Sequence, residues 1–169
     1  STRVLRHMRR GYTREEYIGL IDRIRARIPD CGITMDIIAG YPTETEEDHQ
    51  ATLSLMEYVK YDFGYMFKYS ERPGTYAASH YPDDVPDEVK QRRLDEIIAL
   101  QARHSLERNN SYLGKVCRVL CEGTSKKDRN RLFGRNSQGT VVVFDADGYK
   151  IGDFADVRIT GSTQGTLLG

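Results

Sequence analysis

The chain has 169 residues, 38% apolar and 30% charged, with 25 basic residues balancing 25 acidic ones. That length fits one domain or two small ones, and the composition is ordinary for a globular fold. No run is long enough to span a membrane and no signal-peptide core opens the chain, so neither a membrane partner nor export is expected. Three cysteines, Cys31, Cys117 and Cys121, make an odd set without regular spacing. This argues against a disulfide framework and for a reducing compartment such as the cytoplasm. Cys117 and Cys121 fall in KVCRVLCEG, which alternates like a strand, so both belong on one buried face. A closed zinc site needs four ligands, and no second pair exists.

The basic opening segment, residues 1–10, lacks an initial Met and reads as the middle of an element, as in a processed chain or a piece of a longer protein. Arg9 and Arg10 precede a Gly11-Tyr12 turn. Thr13 to Glu16 has the capping-box pattern. Tyr17, Leu20, Ile21, Ile24 and Ile28 follow at helical spacing and predict one apolar stripe, which Pro29 ends. Residues 33–39 are a short apolar run closed by Gly40 and Pro42, the pattern of a strand buried on both faces of a parallel sheet. Thr45 then caps a helix, with Asp48 in place of the capping-box Glu and Leu55, Met56 and Val59 facing inward. Residues 62–69, rich in aromatics, predict a second strand. Helix, strand, helix, strand is the order of an α/β fold with a parallel sheet.

Ligands of such sheets bind at the carboxyl ends of the strands. The turn at residues 40–45 and the loop YSERPGTYA at 69–77 therefore share one rim. Gly40 and Pro42 also suit a plain turn; two polar turns on one rim make the case for a site. Arg72 has the planar donors to clamp a carboxylate or phosphate, and Arg10 is a second candidate. Residues 70–87 form a long loop, of the kind that is usually functional, before a helix over 87–109 whose buried edge is Leu94, Ile97 and Ile98. His7, His49, His80 and His104 are scattered and read as surface residues.

From residue 112 the pattern changes to five short alternating runs, at 115–122, 131–135, 140–144, 151–159 and 163–168, which predict a small closed β-barrel. The expected domains are 1–111 and 112–169. The second carries nine basic and six acidic residues, a net of +3, and the first a net of −3. Lys126, Lys127, Arg129, Arg131 and Arg135 cluster around a turn with Leu132 and Phe133, a composition that suits a nucleic-acid backbone and equally suits a solvated basic loop.

VLRHMRRGYT (4–13), DIIAGYPTETEED (36–48), YSERPGTYA (69–77), VKQRRL (89–94), VLCEGTSKK (119–127) and GRN (134–136) together resemble the methylthiotransferase family of radical S-adenosylmethionine enzymes, in order and spacing along the whole chain. Arg72-Pro73 after Tyr69-Ser70 resembles the tRNA-modifying branch, usually called MiaB; the ribosomal-protein branch tends to have two acids there. The turn departs from the family's usual GFPGET, with Tyr41 and Thr43 in place of Phe and Gly. The resemblance implies the later strands of a partial (β/α) barrel followed by a TRAM barrel. It implies an enzyme that converts isopentenyladenosine beside the tRNA anticodon to its 2-methylthio form. Two iron–sulfur (4Fe-4S) clusters and S-adenosylmethionine are its implied cofactors, and the tRNA anticodon stem-loop its partner. Ile38, Gly40, Tyr69 and Ser70 match cofactor-side positions, and Lys126, Lys127, Arg129, Arg131 and Arg135 are the expected RNA contacts. The CxxxCxxC cluster motif does not occur in this chain, so no metal ligand or catalytic residue is expected in it, and the 169 residues alone are not expected to catalyse. The alternatives are an enzyme acting on a ribosomal protein and a non-catalytic RNA-binding module.

Overall fold

The computed structural model describes all of residues 1–169. It divides into two compact units, Ser1–Gln101 and Ala102–Gly169.

The first unit opens with a short helix that the sequence reading did not find, α1 (Thr2–His7), followed by α2 (Arg14–Arg27), β1 (Thr34–Ala39), α3 (Glu46–Val59), β2 (Phe63–Lys68), a one-turn helix α4 (Tyr76–His80) and α5 (Asp87–Asn110), whose last turns belong to the second unit. The long loop expected at 70–87 thus contains α4. Both capping boxes form: Thr13 and Glu16 exchange side-chain and backbone bonds, as do Thr45 and Asp48. β1 and β2 pair in parallel, Thr34 opposite Phe63 through Ala39 opposite Lys68.

The strand expected to be buried on both faces is buried on one. Met35 and Ala39 pack with Ile21 of α2, Met56 and Val59 of α3, Tyr61, and Ile97 of α5. Thr34, Asp36 and Ile38 face the other way and are exposed, as are Phe63, Tyr65 and Phe67 across from them. With only two strands, this second face stays largely exposed, and residues 7–9 and Tyr76 meet Asp36, Ile38 and Phe67 at its rim. The predicted helical stripes are narrower than expected. On α2 only Ile21 is fully buried, while Leu20 and Ile28 are exposed. On α5 Ile97 is buried and Ile98 exposed. Helices packed on a two-stranded sheet have less surface to cover than a full apolar face supplies. Each fully buried Met56- or Ile97-sized side chain contributes roughly 1.5–3 kcal/mol.

Two histidines expected at the surface are buried. His49 lies on the inner side of α3 with its Nε2 2.7 Å from Glu96, and His104 is fully enclosed on α5. Buried polar groups need partners, and α5 supplies one to His49.

The second unit is a sheet of six strands: β3 (Val116–Thr124), β4 (Arg131–Asn136), β5 (Val141–Asp145), β6 (Phe154–Arg158), β7 (Gly161–Ser162) and β8 (Leu167–Leu168). Their order is β6-β3-β4-β5-β8-β7, so the two edge strands are consecutive in the chain. Ile159 donates its N–H to Lys115 beside β3, and Thr160 donates to Leu168 of β8, so the sheet curls back on itself through residues 159–160. The run expected as one strand at 151–159 begins at Phe154. The run expected at 163–168 is only β8, with the unforeseen β7 before it. β3 alternates as read, with Cys117, Val119 and Cys121 inward. They pack with Leu132, Val142, Phe144, Ala155, Val157, Ile159 and Leu167. A β-bulge lies between Cys121 and Gly123.

Candidate functional site

The turn after β1 is held by buried charge. Gly40 has φ of +72°, where glycine is at home, and a Cβ there would lie 2.3 Å from Cγ of Lys90; the lysine stem occupies that space. The Gly40 N–H donates to Glu44 at 3.0 Å. Glu44 pairs with Arg93 of α5 at 2.9 Å, both side chains only 6% exposed, and Arg93 also donates to the Glu44 carbonyl at 3.0 Å. Burial pushes the Glu44 carboxyl above its ordinary value, against the opposing pull of the Gly40 N–H and Arg93.

Thr43 has φ of +69°, an outlier for a β-branched residue. Three neighbours fix it: Arg3 donates to its carbonyl at 2.6 Å, its own N–H donates to Asp84 at 2.7 Å, and His7 Nδ1 lies 3.0 Å from its hydroxyl. Asp48 accepts from the Thr45 N–H at 2.9 Å and from Ser1 at 2.5 Å, and pairs with Arg3. Burial works against ionisation of Asp48, but these donors outweigh it and hold the carboxyl well below its ordinary range.

Tyr69 donates its N–H to the Ala39 carbonyl at 2.8 Å, so the loop after β2 starts beside the turn after β1. A cleft of about 630 Å³ opens there. Ile38, Tyr41 and Phe67 give it an apolar lining, and Tyr69, Ser70 and Arg72 give it polar groups. Tyr41 meets Tyr69 edge-on, ring centroids 5.4 Å apart. The Lys90 ammonium, paired with Asp83, lies 5.2 Å from the Tyr69 ring centroid. Burial raises both phenol pKa values, so Tyr41 and Tyr69 are neutral hydroxyls. The Tyr69 hydroxyl is buried without a hydrogen-bond partner. At one side of the cleft Arg9 stacks over Tyr76 at 4.7 Å, and Tyr76 stacks on His80 at 3.7 Å.

Four of the six residues singled out for a cofactor, Ile38, Tyr69, Ser70 and Arg72, line this one cleft. Gly40 lies buried under Lys90 and shapes the turn. Arg10 lines a neighbouring cleft of about 440 Å³ that shares Met8, Asp36 and Ile38 with the first, and Arg9 takes the place expected of it. Asp36 and Phe67 were missed. Strand alternation could have found both, since Asp36 is two residues before Ile38 and Phe67 two before Tyr69. His7 and Tyr76 come from outside the strands, and no local pattern points to them.

In the second unit, Lys126, Lys127 and Arg129 are exposed on the turn between β3 and β4. Arg131 is tied inward, donating to the Gly169 carbonyl at 2.5 Å and pairing with Asp145 at 3.0 Å. Arg135 pairs with Glu122 at 2.5 Å. The thiols do not suit an iron–sulfur cluster. Cys117 and Cys121 are enclosed in the barrel core, where burial pushes both thiols up, and Cys31 is half-buried and distant in sequence. No three His, Cys, Asp or Glu side chains converge as metal ligands.

Residues 110–169 match the family model of the TRAM domain. The tRNA-2-methylthio-N(6)-dimethylallyladenosine synthase of Flavobacterium johnsoniae is 56% identical over all 169 residues, which correspond to 35% of its length. The enzymes of that name from Christiangramia forsetii and Phocaeicola vulgatus are each 57% identical over the same span, 35% and 37% of their lengths. The chain thus spans little more than a third of the curated relatives it matches. At that identity, sustained from end to end, the chain matches the C-terminal part of the enzymes of that name, and it ends in a TRAM domain.

Proposed function

We propose that the chain is the C-terminal part of a cytoplasmic tRNA methylthiotransferase that converts isopentenyladenosine beside the anticodon to its 2-methylthio form. Residues 1–111 are the closing strands of a radical S-adenosylmethionine barrel with its connecting helix, and residues 112–169 are the RNA-binding barrel. The observation that carries this reading is the meeting of Ile38, Tyr69, Ser70 and Arg72 around one cleft at the carboxyl ends of parallel strands. The names of relatives 56–57% identical along the whole chain support the same chemistry.

The cleft fits an adenosyl sulfonium. Ile38, Phe67 and Tyr41 offer apolar contact to a flat ring, the buried Tyr69 hydroxyl offers a hydrogen bond, and Arg72 offers a charged fork for a carboxylate. When bound, S-adenosylmethionine supplies the methyl group and the radical that activates the adenine C–H bond. This chain's residues bind and orient: Lys90 and the Glu44–Arg93 pair fix the turn, and Tyr41 and Tyr69 wall the cleft. Cluster ligation belongs to other parts of the enzyme, because the thiols here are built into a barrel core. The anticodon stem-loop is the proposed partner, with Lys126, Lys127 and Arg129 reading phosphates.

The test is to express the full-length protein in bacteria deficient in the modification and measure 2-methylthio-isopentenyladenosine in digested tRNA by mass spectrometry. Restoration of the nucleoside is expected with the native sequence, and its loss with Ile38→Asp. Unmodified tRNA with the native, folded protein overturns the reading.

A further inference from the structure

The outer face of the barrel carries a feature that the basic turn does not explain. Phe154 is 57% exposed on β6. The strand register sets it across from Leu120 of β3, which lies across from Arg135 of β4. The next rung of the same face sets Arg118 opposite Asp156, and the one beyond sets Val116 opposite Arg158. Cys117, Val119, Ala155 and Val157 fill the core, so this whole row points outward. Although Asp156 lies directly across from it, the Arg118 guanidinium sits 4.9 Å from the Phe154 ring centroid. A cation has settled on an exposed aromatic ring, on a unit with eleven basic and seven acidic residues.

An exposed ring beside a guanidinium offers an unpaired base a π-face and offers its phosphate a charge. Small β-barrels take single strands in this way without reading sequence. The other cationic element, the turn with Lys126, Lys127 and Arg129, has no aromatic residue between 125 and 130, and its neighbour Phe133 is half-buried opposite Gly123. We propose that the outer face of β6 and β3, centred on Phe154 and Arg118, stacks an unpaired base of a single-stranded RNA loop. This rests on the reading that the substrate is RNA, and it adds a base-stacking surface to the phosphate contacts of the turn.

The chain contains no tryptophan, so Phe154→Trp introduces a unique reporter. The variant is titrated with an anticodon stem-loop RNA and with the same RNA carrying abasic loop positions. Quenching by the intact loop and none by the abasic loop is expected. Phe154→Ala weakens binding by about tenfold or more, with the salt slope unchanged, because a stacked base releases no counterion. Phe154→Tyr keeps the affinity. Replacing Lys126 and Lys127 with Ala does the opposite, flattening the salt slope and leaving the quench in place. Native affinity in Phe154→Ala, or equal quenching by abasic RNA, overturns the stacking site while leaving RNA binding itself intact. Native RNA affinity in Phe154→Ala together with a changed sedimentation mass makes this face a protein contact, which also overturns it. Failure of the native chain to bind any RNA overturns the RNA reading and this site with it.

Discussion

Two polar turns of this chain sit at strand ends and are held in opposite ways. The turn at residues 40–45 is locked from several sides. Lys90 fills the space beside Gly40, Arg93 and Gly40 both bond Glu44, and Arg3, Asp84 and His7 hold Thr43 in a backbone region it disfavours. The turn at residues 125–130 is closed by backbone bonds from the Ser125 N–H to the Arg131 carbonyl and from the Arg131 N–H to the Asp128 carbonyl, and the Asn130 N–H donates to the Asp128 carboxylate, while its Lys126, Lys127 and Arg129 side chains are exposed. Strained backbone persists only where neighbours over-determine it. Under the proposed function that rigidity suits the wall of a ligand cleft, and exposed cations suit a loop that meets a flexible nucleic-acid backbone.

The largest effect should come from breaking the first turn's ion pair. Arg93→Ala leaves the Glu44 carboxylate buried without its cation and should cost about 3–5 kcal/mol, a large part of a small domain's stability. Urea unfolding of the variant measures it, and a loss below 1 kcal/mol would show that Glu44 is well solvated. Next, Gly40→Ala combines a left-handed backbone with a Cβ pressed onto Lys90 and should cost roughly 2–3 kcal/mol by the same assay. It should also weaken ligand binding in the cleft, because the whole turn has to shift.

Asp48→Asn sharpens the comparison through pH and should cost about 1 kcal/mol near neutrality. The folded Asp48 carboxyl titrates below its ordinary value of 3.8, so the unfolded chain binds more protons in the acid range. Its contribution is therefore present above about pH 4 and lost as pH falls further. Glu44 has the opposite sign: its raised value means that its contribution declines as pH rises past the ordinary 4.5. The unfolding midpoint of Asp48→Asn should consequently fall less steeply below about pH 4 than that of the native chain. Parallel acid limbs would refute the assignment. The smallest effect on stability belongs to the second turn. Lys126→Ala, Lys127→Ala and Arg129→Ala together should stay within about 0.5 kcal/mol per site while reducing the salt dependence of RNA binding. A destabilised triple variant would mean that the basic turn is structural.

Sequence alone determined the local elements. Capping boxes at Thr13 and Thr45, Gly and Pro after an apolar run, and the alternation that turns Cys117 and Cys121 inward all depend on neighbours within a few residues. The shared rim of residues 40–45 and 69–77 was legible too, because parallel strands put successive carboxyl ends on one side. Tertiary structure decided which apolar residues are covered and which charges are engaged. Ile98 and Leu20 are exposed because a two-stranded sheet offers too little surface, and His49 is buried because α5 carries Glu96 to it across 47 positions of sequence. Arg131 and Lys126 look alike in a basic run, yet one fastens the chain's last carbonyl and the other faces water. Such differences arise from contacts between residues distant in sequence, and hydrophobic pattern and local propensity do not encode them.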